Sequence, residues 1–201
     1  MIRAVVFDFG NVICSFDPGL FIRHIATYSA LSKKELAATV MTRCDDLMND
    51  YESGRISSHD FFVMMSGRCR LSAPEPAFVK AFVEIFTPIP ETLELLRRLK
   101  GRYRLGLLSN TNEWHYQHGI LRADAYPIFD TVTLSFEVKA MKPHRRIFED
   151  AMAKLREPPE ACVYIDDLCE NADAAAKLGM HAIHYTGHEG LMKDLRNLQV
   201  I

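Results

Sequence analysis

The sequence predicts an α/β protein in three layers, a parallel sheet between helices, with a helical segment inserted after the first strand. Two observations carry this. Short aliphatic and β-branched runs alternate with amphipathic helical patterns through most of the chain, the pattern of a parallel sheet whose crossovers are helices. One stretch, residues 17–86, breaks the alternation: its apolar residues recur at helical spacing and it holds no convincing strand.

The runs at 2–9, 104–110, 161–167 and 181–185 are bounded by Gly, Pro or polar residues and read as strands, with 131–136 as a fifth. Between them, 90–100, 143–156 and 171–178 have helical patterns. In the inserted stretch Leu20, Ile22 and Ile25, then Phe61, Phe62 and Met65, mark helical faces. Breaks near Ser32, Ser53-Gly54 and Ala73-Pro74-Glu75-Pro76 divide it into four helices, enough for a small bundle. The expected organisation is a core of residues 1–16 and 88–201 with a helical domain at 17–87.

Composition narrows the function. The chain has 201 residues, 48% hydrophobic and 25% charged, with a net charge of −2. That is a globular composition, and its balance of charge argues against a nucleic-acid binder. No apolar run approaches the roughly 20 residues of a bilayer span. The charged Asp8 arrives too early for a signal-peptide core, so a cytoplasmic protein is expected. Five cysteines without a CxxC pair suggest free thiols rather than disulfides or zinc.

Ligands of open parallel sheets sit beyond the carboxyl ends of the strands. Here the run at 2–9 ends in Asp8, the run at 104–110 in Ser109-Asn110-Thr111, and the run at 161–167 in Asp166-Asp167. Clustered carboxylates repel one another unless a cation relieves them, and a hard, oxygen-liganded ion such as Mg²⁺ suits them. Lys142-Pro143 is expected to open a helix, with Pro at its first position and Lys at its positive end, where anions bind. The implied substrate is a phosphate.

These residues, in this order, resemble the haloacid dehalogenase superfamily. Its four motifs correspond to Asp8-Phe9-Gly10-Asn11-Val12, Leu108-Ser109-Asn110-Thr111-Asn112, Lys142-Pro143, and Asp166-Asp167 with Asn171. Within the superfamily, Gly10-Asn11-Val12, Tyr51-Glu52-Ser53-Gly54-Arg55-Ile56-Ser57 and the His115 that follows Asn112 are most similar to phosphatases of α-D-glucose 1-phosphate and their relatives. The resemblance implies a Rossmann-like core, a helical cap at 17–87, and a Mg²⁺-dependent phosphatase acting on small phosphorylated metabolites, sugar phosphates first. It implies Asp8 as nucleophile through an aspartyl-phosphate, and Ser109 and Lys142 as catalytic groups on the phosphoryl oxygens. Asn110, Asn112 and His115 would contact phosphate or substrate. Asp8, the Gly10 carbonyl and Asp167 would hold Mg²⁺, with Asp166 a further ligand or behind it, and Asn171 would orient the loop.

The pattern departs from the superfamily at Gly10, where a second Asp usually serves as general acid and base, a role typically worth ~10²–10⁴ in rate. His115 and Asp17 are candidate replacements, and Lys139 rivals Lys142. Two other readings remain: a dehalogenase-type hydrolase, which also lacks the second Asp, and a catalytically weak module binding a phosphorylated ligand.

Overall fold

The computed structural model describes residues 1–201. Five strands form one parallel sheet: β1 (Ala4–Phe7), β4 (Arg104–Ser109), β5 (Thr131–Leu134), β6 (Cys162–Asp166) and β7 (His181–His184), in the order β5-β4-β1-β6-β7. The central strand Ala-Val-Val-Phe is buried at every position, as a strand covered on both faces must be. Its side chains alternate. Val5 and Phe7 join Leu105, Leu107, Val163 and Ile165 in one core, while Ala4 and Val6 join Leu108, Cys162 and Tyr164 in the other. Helices α6 (Pro90–Leu99) and α11 (His188–Asn197) close the first face through Leu95, Leu96, Leu99, Leu191 and Leu195. The second is closed by α9 (Arg145–Leu155) and α10 (Cys169–Lys177) through Ile147, Phe148, Leu155 and Ala175.

The chain runs outward from β1 through β4 to β5, then returns to β1's other side for β6 and β7. The order therefore reverses at β1. Phe7 is level with both Leu107 and Ile165, so Asp8, the next residue, emerges beside Leu108 and Asp166 at the crevice where such folds bind ligands.

The inserted stretch holds five α-helices rather than four: α1 (Pro18–Ile25), α2 (Lys33–Thr42), α3 (Asp45–Glu52), α4 (Ser58–Cys69) and α5 (Glu75–Val83). Three of the expected breaks are present, at sites with recognisable chemistry. Ser32 and Glu35 form a reciprocal capping box, Ser57 caps α4, and Pro74 precedes α5. The extra break at Arg43-Cys44 has no Gly or Pro. It is held by Arg68 of α4, which donates to the Arg43 carbonyl (2.6 Å) and the Asp46 carboxylate (2.8 Å), while the Asp45-Asp46 pair suits the new helix start. Two strands outside the expected set, β2 (Cys14–Phe16) and β3 (Phe86–Pro88), pair antiparallel and carry the chain into and out of this segment. The segment has its own apolar core, including Phe21, Leu36, Phe61, Phe78 and Phe82. One member comes from elsewhere: Trp114 of α7 (Glu113–His118), which follows β4. No helix is long and apolar enough to cross a membrane.

Candidate active site

Asp8 is buried at the end of the central strand. Its Oδ1 accepts the Phe9 amide (2.7 Å) and pairs with Lys142 Nζ (2.7 Å). That ammonium also pairs with Asp166 Oδ2 (2.7 Å) and donates to the Leu108 carbonyl (3.2 Å), so one lysine, its side chain 2% exposed, joins the ends of β1, β4 and β6. Burial lifts the Asp8 carboxyl to about 7, Lys142 opposing and Asp166 adding to the rise. For Lys142 burial works the other way, but the two carboxylates outweigh it and hold the ammonium above the ordinary lysine range. Asp166 is buried too, yet Lys142, the Tyr164 hydroxyl and the Leu168 amide keep it below the usual carboxylate range.

Asp166 has no oxygen to spare. Oδ1 accepts from the Leu168 amide (2.9 Å) and Asn171 Nδ2 (3.0 Å), and Oδ2 accepts from Lys142 and the Tyr164 hydroxyl. It positions Lys142 rather than presenting a free ligand atom. Asp167, half-buried, accepts from Asn11 Nδ2 at 2.9 Å through Oδ2 alone. Asn11 reaches it from a left-handed turn (φ 52°), a conformation Asn tolerates better than most residues. Ligand atoms of Asp8, Asp166 and Asp167 lie within 4.8 Å of one another, and the Gly10 carbonyl accepts no hydrogen bond. The free donors are thus Asp8 Oδ2, Asp167 Oδ1 and the Gly10 carbonyl. All are hard oxygens at a carboxylate cluster with a single internal cation, a set that fits Mg²⁺.

Ser109 is buried, and its hydroxyl makes only a 3.3 Å contact with the Asn110 carbonyl, leaving it able to meet a phosphate oxygen. Asn110 spends its side chain on the third motif: it accepts the Lys142 amide (2.8 Å) and donates to the Lys142 carbonyl (3.1 Å). That leaves its backbone as the part not already engaged by Lys142. Lys142-Pro143 does not open a helix. The peptide is cis, α9 starts at Arg145 with His144 as cap, and it is the Asn110 clamp that aims Lys142. Lys139 points away, donating to the Gly54 carbonyl at 2.7 Å.

Asn112 and His115 are placed otherwise than expected. Asn112 is fully buried, capping α7 through the His115 amide (3.0 Å), with its Nδ2 3.0 Å from His115 Nδ1. His115 Nε2 sits 3.0 Å from the Phe82 carbonyl, and the ring stacks on Phe82 at 4.2 Å. Both ring nitrogens are engaged. Burial holds the imidazole at about 4, so it is neutral and neither a phosphate ligand nor a proton donor near neutral pH. Asp17 is an exposed helix cap paired with Arg23. Gly10 has no need of glycine's backbone freedom, since the left-handed residue is Asn11. A Cβ there would meet the Phe16 ring at 3.4 Å, ordinary contact.

A family model for haloacid dehalogenase-like hydrolases matches residues 2–179. The chain belongs to that family. Three curated relatives are similar to it. Drimenol cyclase drtB of Aspergillus calidoustus is 23% identical over 98% of this chain but only 37% of its own length. Pyrimidine 5'-nucleotidase YjjG of Escherichia coli is 26% identical over 79% of the chain and 74% of the relative. Sesquiterpene phosphatase astK of Aspergillus oryzae is 22% identical over 98% and 96%. Among solved structures, HAD family enzyme bt-2542 of Bacteroides thetaiotaomicron, in complex with magnesium and inorganic phosphate, superposes with a TM-score of 0.80 at 23% identity, covering 94% of this chain and 96% of that one. It shows the shared fold.

This haloacid dehalogenase-like site continues into a cavity of about 280 Å³ between the sheet and the inserted helices. Gly10, Ser109, Asn110 and Thr111 form its floor, and apolar side chains predominate in its walls. Glu52 is the functional candidate the motifs left without a role. It ends α3, its carbonyl accepts from Ser135 Oγ (2.6 Å), and Ser135 also takes the Thr111 amide (2.8 Å), so the inserted helix is fixed to the second-motif loop. Glu52 lines the cavity, and burial pushes its carboxyl up to about 7, Lys142 opposing and Asp8 adding. Tyr164 was legible in one respect: two residues before Asp166, it points to the same face of β6.

Proposed function

We propose that the chain is a Mg²⁺-dependent phosphatase of small phosphorylated metabolites, working through an aspartyl-phosphate on Asp8. The observation that carries this is the division of labour among the carboxylates: Asp166 is saturated by its own neighbours, while Asp8 and Asp167, clustered with it, each keep an oxygen without a partner. Names borne by the relatives, a nucleotidase and a sesquiterpene phosphatase, are in keeping with phosphate ester hydrolysis. A dehalogenase would have no use for the Asp167 oxygen, and a pure binder none for an aimed carboxylate.

Asp8, Asp167 and the Gly10 carbonyl would hold the ion, which when bound supplies positive charge to nucleophile and phosphoryl group together. A carboxylate oxygen of Asp8 forms a bond to phosphorus as the bond to the ester oxygen breaks, and that oxygen leaves with the electron pair and takes up a proton. Water then attacks phosphorus, the bond to Asp8 breaks, and the carboxylate returns with inorganic phosphate as product. Ser109, the Asn110 backbone and Lys142 meet the equatorial oxygens, where charge gathers. Glu52, the cavity carboxyl that shares the field of Asp8 and Lys142, is the group we assign to protonate the departing oxygen in place of the Asp absent at Gly10. The inserted helices act as cap, closing the cavity over the substrate. Five free cysteines, four of them buried, are in keeping with the reducing cytoplasm.

Phosphate release from p-nitrophenyl phosphate tests the reading. Activity should need Mg²⁺, vanish with excess chelator, and fall at least about a thousandfold in Asp8→Asn. Undiminished release in chelator, or from Asp8→Asn, would contradict it.

A further inference from the structure

The cavity walls bear on the alcohol that leaves. Beyond the phosphate-facing floor, Phe21, Met48, Met65, Phe82, Ile85 and Phe86 line it, and Phe16 and Met41 stand at 43% and 54% exposure as uncovered apolar surface on the same cavity. The polar complement is sparse. Asp45 and Glu52 contribute carboxyls, His115 has both nitrogens engaged, and no lysine or arginine is among the lining residues. A sugar or polyol phosphate brings several hydroxyls, and each one buried without a partner costs more than it gains. A second phosphate or a carboxylate on the substrate would face two acids and no cation.

Resting on the phosphatase reading, we propose that this cavity takes the apolar alcohol portion of a phosphate monoester, so that the favoured substrates are phosphates of aliphatic or prenyl alcohols rather than of sugars. The net reaction is a phosphate monoester dianion and water giving the free alcohol and hydrogen phosphate, with no further reactant. The apolar chain covers Phe16 and Met41 at the mouth and displaces water from the phenyl and thioether groups deeper in, while the floor holds the phosphate as before. For the sugar-phosphate preference expected from the sequence, these walls offer only the Asp45 and Glu52 carboxyls as acceptors and no charged donor.

The test uses the full chain with saturating Mg²⁺ and primary-alcohol esters of similar leaving-group acidity: methyl through octyl phosphate and geranyl phosphate, against glucose 6-phosphate and ribitol 5-phosphate. The expected kcat/KM climbs about fourfold per methylene until the cavity is full, with hexyl phosphate ahead of glucose 6-phosphate by at least about a hundredfold. Met48→Gln should flatten that climb. Calorimetric titration with methyl- through octylphosphonate, which are not hydrolysed, gives a second reading of the same slope. Glucose 6-phosphate or ribitol 5-phosphate matching hexyl phosphate overturns the proposal and leaves the phosphatase reading intact. No turnover of any ester, with phosphonate affinity still rising with length, overturns the phosphatase reading and keeps the assignment of the cavity. A flat phosphonate series overturns the assignment whatever the turnover.

Discussion

Gly10 shows how one residue redistributes a chemical task. Its Cβ position is open apart from the Phe16 ring at 3.4 Å, so a carboxylate could stand there, and in the proposed mechanism its absence leaves proton transfer to Glu52, which lines the same cavity. Glu52→Gln should therefore slow alkyl phosphates by roughly a hundredfold while aryl phosphates, whose oxygen leaves without help, change only a few fold. Adding Gly10→Asp to Glu52→Gln should recover part of the alkyl rate. Measuring kcat/KM against leaving-group pKa in the three proteins checks both, and parallel slopes would contradict the assignment. His115 has the opposite character, a buried histidine whose work is structural. Above about pH 6.5 it is neutral folded or unfolded. Below that, the unfolded chain takes a proton that the folded ring refuses until about 4, so its share of stability is lost as pH falls through that window, up to roughly 3 kcal/mol. Urea denaturation at pH 7 and 4.5 should show a smaller loss in His115→Gln than in the parent. Equal losses would mean the ring is protonated in the fold.

At the level of elements, the junction of α3, the loop after it and α8 (Ser135–Val138) fixes the inserted helices to the sheet. Gly54 has φ 65°, and a Cβ there would fall 2.3 Å from the Phe136 carbonyl and 2.4 Å from Lys139 Nζ. Gly54→Ala should therefore cost about 1–3 kcal/mol and lower kcat/KM by displacing Glu52. Gly101→Ala is the control, since φ is 81° there with nothing within 4 Å. It should carry the backbone strain and leave kcat/KM alone. The elements also show what a sequence displays. Strands β1, β4 and β6 are legible because burial on both faces makes them unbroken apolar runs, and the chemistry sits where each run stops. The ribbon of β2 and β3 has no such signal: each strand is three residues long, mostly exposed, and finds its partner across the whole inserted segment. The α2–α3 break is equally silent, because it depends on Arg68, distant in sequence. Asn112 and His115 mislead for a related reason. Lying beside a motif, they look outward in sequence, but α7 turns His115 onto Phe82 and Asn112 caps the helix against His115.

Across the whole molecule, the sheet with its two cores and the inserted segment with its own meet at one crevice. The sheet supplies the reacting groups at the reversal of strand order, and the inserted helices supply the walls and Glu52, with Trp114 packed into their core and its amide on the Tyr51 hydroxyl at 3.2 Å. Such an arrangement lets the alcohol be chosen by one body and phosphorus be attacked by the other, and the claim on which it all depends is a bond between Asp8 and phosphorus. That bond can be caught. An acyl phosphate is reduced by borohydride to the alcohol, so quenching a single turnover of p-nitrophenyl phosphate with borohydride, in the presence of Mg²⁺, should convert residue 8 to homoserine, read by mass spectrometry of its peptide. Homoserine should appear at position 8 and be absent without substrate; product release with Asp8 unmodified, or homoserine at another aspartate, would rule out Asp8 as the nucleophile.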